Sequence, residues 1–116
     1  MSLYETKGRP SPAGYRDVAP AEVPLPATGF TIVDVREPHE FTGELGHIPG
    51  ATLVPMATLL AASVDWKKDH EVLVVCKAGG RSSSSAQALV KAGFSKVMNL
   101  TGGMLAWNAA GLKTER

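Results

Sequence analysis

One stretch of this 116-residue chain combines a nucleophile with the means to activate it: Cys76-Lys77-Ala78-Gly79-Gly80-Arg81-Ser82. Gly79 and Gly80 permit backbone angles that other residues resist, so successive N–H groups can converge on one concavity. A helix starting near Arg81 adds free N–H groups and its positive end. Lys77 and Arg81 bracket the loop with positive charge. All of these favour thiolate over thiol, which predicts a lowered pKa for Cys76 and a cradle for an anion placed over the sulfur. Free cysteine is also a common core residue, and one following Val72-Leu73-Val74-Val75 fits that bland reading. Two glycines and two cations directly after a core strand have no packing purpose, and they tip the balance to chemistry.

The elements that must position this loop follow a rhythm from Phe30 onward. Phe30–Val35 is β-branched and nearly continuous in apolar character, as a strand covered on both faces is. Glu71–Val75 reads as the clearest buried strand, and Ala51–Val54 and Lys96–Leu100 read as two further strands. Between them the spacing predicts a short helix over Glu37–Phe41, with Pro38 in its first turn and Gly43 as a stop. Met56, Leu59, Leu60 and Val64 recur at helical spacing. Ala86, Leu89 and Val90 mark one face of a helix closed by Gly93, and a last helix runs from Gly103 to Ala110 around Trp107. Alternation of this kind implies an α/β domain with a mostly parallel sheet, whose ligands sit beyond the carboxyl ends of its strands. Cys76 is at such an end.

Composition narrows the function classes. Twelve Lys and Arg against eleven Asp and Glu give a formal charge of +1, which argues against a nucleic-acid or membrane-surface binder. A single cysteine excludes an internal disulfide, and three scattered histidines supply no zinc spacing, so neither metal nor cofactor is expected. The first 16 residues hold no apolar signal region, and no apolar run approaches the roughly 20 residues of a membrane span. A cytoplasmic protein is the expectation. All eight prolines precede residue 56, and five of them fall between Pro10 and Pro26. Residues 1–14 are accordingly read as an extended lead-in, 15–113 as the domain and 114–116 as a tail. Met1-Ser2-Leu3 reads equally as native sequence or as an expression remnant.

The loop resembles the active-site loop of the single-domain rhodaneses (thiosulfate sulfurtransferases), with four residues between Cys76 and Arg81. Asp34-Val35-Arg36-Glu37 with Glu40-Phe41, then Gly46-His47-Ile48-Pro49-Gly50-Ala51, is similar to that family's first strand and the approach to its next. Gly102-Gly103-Met104 with Trp107 and Gly111-Leu112 resembles its C-terminal signature, and Tyr15–Val23 matches the start of the domain faintly. The pattern departs at the first helix, where Pro24 and Pro26 leave little room.

The resemblance implies a central, mostly parallel five-stranded sheet with helices on both faces. It implies also that the Cys76 thiolate takes the outer sulfur of an anionic donor such as thiosulfate and holds it as a persulfide. Cyanide or a thiol, which can be a protein's, then removes it. Lys77, Ala78, Gly79, Gly80, Arg81 and Ser82 would bind the donor and steady the persulfide. Two other readings stay open: a sulfur relay or docking module with little free turnover, and a phosphatase or arsenate-type reductase. The related phosphatases hold one more residue between cysteine and arginine, and Val75 stands where tyrosine phosphatases place histidine.

Other residues carry blander expectations. Asp34 and Arg36 read as a structural pair, and His47 as the hydrogen-bonding residue of a turn rather than a proton shuttle. His39 and Glu44 read as solvated, and Trp107 with Met104 as core. Ser82 either caps its helix or donates to the sulfur.

Overall fold

β-Branched residues crowd the strand that ends at Cys76, and all five of its residues, Glu71–Val75, are buried. Their alternation splits two cores. Leu73 and Val75 face one side with Phe30 and Ile32, whereas Val72, Val74 and Cys76 face the other with Val33 and Val35.

The computed structural model describes residues 2–116. In chain order its strands are β1 (Arg9–Pro10), β2 (Arg16–Val18), β3 (Phe30–Asp34), β4 (Thr52–Leu53), β5 (Glu71–Val75) and β6 (Val97–Leu100). Its helices are α1 (Leu3–Lys7), α2 (Pro38–Phe41), α3 (Leu59–Ala62), α4 (Gly80–Lys91) and α5 (Gly103–Ala109). The strands form one sheet in the order β1-β2-β6-β5-β3-β4, parallel throughout except for the antiparallel β1. Leu3 of α1 and Met104 and Trp107 of α5 pack on one face. Leu59 of α3 and Ala86 and Leu89 of α4 pack on the other. Among the described residues no helix is long and apolar enough to cross a membrane.

The α/β class and the helices on both faces stand as expected, but the sheet has six strands, not five. The extra strand belongs to the segment read as an extended lead-in. Its prolines do exclude helix from Pro10 on, yet α1 lies ahead of them, and β1 is an edge strand, where proline's missing donor costs no ladder bond. Tertiary contacts hold the segment. The Glu71 carboxylate accepts from Tyr4 N at 3.0 Å, Arg16 donates to Tyr4 O at 2.9 Å, and the Arg16 guanidinium lies 4.1 Å from the centre of the Tyr4 ring.

Pro24 and Pro26 leave a single 3₁₀ turn over Pro20–Glu22 where a longer helix would start. The helical spacing from Met56 to Val64 resolves into a 3₁₀ turn over Met56–Thr58 followed by one turn of α3. The tighter turn breaks the 3.6-residue period, so Leu59 alone of those four residues is buried.

Candidate active site

β5 delivers Cys76 to the carboxyl edge of the sheet, flanked by β3 and β6, and the residue is 1% exposed. Gly79 takes a φ of +106°, a conformation that costs glycine little, and caps α4. This turn sends the Gly79 N–H to the sulfur at 3.0 Å. Gly80 is already helical, so only the first of the two glycines uses its backbone freedom. Burial pushes the Cys76 pKa up. Hydrogen bonds from the Ser82 hydroxyl and from the Ser82, Gly79 and Ala78 backbone outweigh it and leave the thiol below its ordinary value.

The loop holds this shape because α5 grips it from behind. Met104 N donates to Cys76 O at 2.8 Å and Leu105 N to Lys77 O at 3.0 Å. Two free N–H groups of a helix start thus satisfy the loop's carbonyls and leave its own N–H groups to face the sulfur. The approach is possible because Gly103 has no side chain: its φ is +58°, and a Cβ there would stand 2.6 Å from Lys77 O. Gly102-Gly103, read from the sequence only as part of a signature, is therefore a packing requirement of the loop.

Ser82 is fully buried under the sulfur. Its Oγ lies 3.2 Å from Cys76 Sγ and 2.6 Å from Asn99 Oδ1, and Asn99 Nδ2 donates to Asp17 at 3.0 Å. A carboxylate only accepts, so Asp17 fixes which end of the Asn99 amide faces Ser82. Asn99 and Asp17 escaped the sequence reading. The signal was there: an amide inside the apolar strand Val97-Met98-Asn99-Leu100 must find a partner.

Three cations surround the mouth, and two are already paired. Arg36, 1% exposed, donates from Nε and Nη2 to Asp34 and from Nη2 to Gly46 O at 2.7 Å, the structural role expected of it. Arg81 donates from Nη1 and Nη2 to the two oxygens of Glu40 at 2.7 and 2.8 Å. That contact holds the Glu40 carboxyl, against the opposing effect of burial, at a pKa of about 2, so the pair is closed throughout the neutral range. Arg81, expected to bind the anionic donor, is thus engaged by Glu40 in this structure. Lys77 is exposed and has no carboxylate partner among the described residues. It lines an open cavity of about 220 Å³ with Arg36, His39, Glu40, Glu44 and Leu45. Larger cavities, of about 550 and 300 Å³, lie along the sheet around Phe30 and around Trp66, away from the loop.

Of the remaining loop residues, Ala78 and Gly80 are exposed at the rim. His47 does fix its turn: its Nδ1 donates to Phe41 O at 2.8 Å and its ring stacks on Phe41 with centroids 3.7 Å apart. His39 and Glu44 are exposed, and Trp107 is core.

The sequence profile of the Rhodanese-like domain matches residues 20–110. A protein of Allochromatium vinosum named sulfurtransferase is 36% identical over 81 residues, which are 70% of this chain and 74% of that one. An uncharacterised protein of Synechocystis is 39% identical over 83 residues, 72% of this chain, but this match spans only 45% of that longer protein. Among solved structures, a rhodanese-related protein of Thermoplasma volcanium superposes with a TM-score of 0.75 at 26% identity, covering 85% of this chain and 96% of that one.

Proposed function

This chain belongs to the rhodanese-like domain family, and on that footing we propose that it is a sulfurtransferase that carries sulfane sulfur as a persulfide on Cys76. The observation that carries this reading is the pair of groups on the sulfur: Gly79 N–H, which donates to it at 3.0 Å, and the Ser82 hydroxyl at 3.2 Å, which accepts from the thiol and can turn its proton to the thiolate. Both stabilise a thiolate before attack and an anionic persulfide after it.

In the first half-reaction the thiolate forms a bond to the outer sulfur of thiosulfate. The old S–S bond breaks, and its electron pair leaves with sulfite. In the second, cyanide or an acceptor thiol takes the outer sulfur and returns the thiolate. Such a double displacement gives ping-pong kinetics. Cys76 is the only cysteine of these 116 residues, so no neighbour in the chain can collect the sulfur as a disulfide, and it must leave to an external acceptor. A thiol kept for this chemistry suits a reducing compartment such as the cytoplasm.

Intact-mass measurement tests the reading. Thiosulfate is expected to add the mass of one sulfur atom to the wild type and nothing to Cys76→Ala. Cyanide is expected to remove the adduct as thiocyanate. No adduct on the wild type, or the same adduct on Cys76→Ala, overturns the proposal.

A further inference from the structure

Neutralised cations at the mouth of an anion-handling site bear on which anion it prefers. The inference rests on the persulfide reading of Cys76 and concerns the donor. Glu40 sits on α2, one hydrogen bond from the cap residue Glu37, and spends both carboxylate oxygens on Arg81. Its side chain is still 21% exposed and borders the cavity that Lys77 lines, so a donor entering there meets a negative charge beside the positive one. With Arg36 held by Asp34 and Arg81 by Glu40, Lys77 is the lysine or arginine lining this cavity that has no carboxylate partner among the described residues.

We infer that Glu40 is a specificity-determining residue that selects among sulfane donors by charge, favouring a monoanion over a dianion. The reason is electrostatic. Repulsion from a fixed carboxylate grows in proportion to the donor's charge, so any factor Glu40 imposes on binding a monoanion is roughly squared for a dianion. Thiosulfate is then a poor donor that reveals the activity rather than the one the mouth is built for, and singly charged thiosulfonates or persulfides suit it better.

Thiosulfate and methanethiosulfonate separate charge from chemistry. Each gives its outer sulfur to the Cys76 thiolate, leaving as sulfite or methanesulfinate with the electron pair of the broken S–S bond, but the first carries two charges and the second one. Glu40→Gln is expected to lower KM for thiosulfate about tenfold and for methanethiosulfonate about threefold, and both gains shrink as salt rises. Glu40→Asp, which keeps the charge, is expected to retain the wild-type ratio of the two KM values. Thermal melts establish that the compared variants are folded; if Glu40→Gln is not, the wild type's preference for the monoanion and its narrowing with salt carry the test. An unchanged KM ratio in a folded Glu40→Gln, or a fall in kcat with both donors alike, overturns the inference while the sulfur adduct on Cys76 still stands. Absence of any adduct on the wild type overturns both.

Discussion

The hydroxyl of Ser82 lies 3.2 Å from the sulfur of Cys76 and has one proton for three claimants. Asn99 Oδ1 at 2.6 Å and Gly79 O at 3.2 Å can take it while Cys76 is a thiol, because the S–H then donates to Ser82. Once the sulfur is ionised, Ser82 must turn its proton toward it or leave a lone pair facing a negative charge. The Asp17–Asn99–Ser82 chain therefore sets the cost of making the nucleophile.

Ser82→Ala is expected to raise the Cys76 pKa, because the mutation removes a donor to the thiolate while the burial that pushes the pKa up remains. A hydrogen bond to a charged group contributes about 1.5–3 kcal/mol, enough to move the titration upward measurably. The rate of alkylation by iodoacetamide tracks the thiolate. Its pH midpoint should move up, and the rate at neutral pH should fall. A midpoint that stays put or moves down would show that the hydroxyl does not serve the sulfur.

Gly103→Ala is expected to disable the loop without touching its chemistry. A Cβ there has nowhere to go between the carbonyls of Cys76 and Lys77, and a φ of +58° strains any L side chain. Either the start of α5 or the loop must shift, and a misplacement of about 1 Å costs on the order of 100-fold in rate. Single-turnover persulfide formation should fall at least tenfold, with Cys76 still alkylated stoichiometrically. Wild-type rates in this variant would mean that α5 does not brace the loop.

What could be read beforehand was what is local. The run Val72–Val75, the glycine after Lys77-Ala78 and the cations at Lys77 and Arg81 announce strand, turn and anion cradle within eleven residues, and β5 and α4 lie where that reading placed them. Asp34 and Arg36 are two apart and pair as expected. What escaped depends on contacts that sequence spacing does not encode. Glu40 and Arg81 are 41 positions apart and meet because β3 and β5 are adjacent and parallel, which brings the segments that follow them to one edge. Asp17 and Asn99 meet through the pairing of β2 with β6, and β2 itself is too short to announce. α1 has five residues, fewer than a helix needs to hold itself, and exists because Leu3 is buried and Arg16 covers Tyr4.

His47 offers a test of structure against chemistry. Its Nδ1 must carry the proton, because Phe41 O can only accept, and its ring is stacked on Phe41. Its backbone exchanges both hydrogen bonds with Glu115, tying down the C-terminal residues. None of these contacts reaches Cys76. His47→Ala should therefore lose a stacking and a hydrogen-bond contribution, together about 2 kcal/mol. A domain of this size would show that as a fall in Tm of roughly 8 °C. The pH dependence of persulfide formation, measured well below the new Tm, should match the wild type. If instead a limb disappears from that profile while Tm holds, His47 moves protons and the turn-fixing role is wrong.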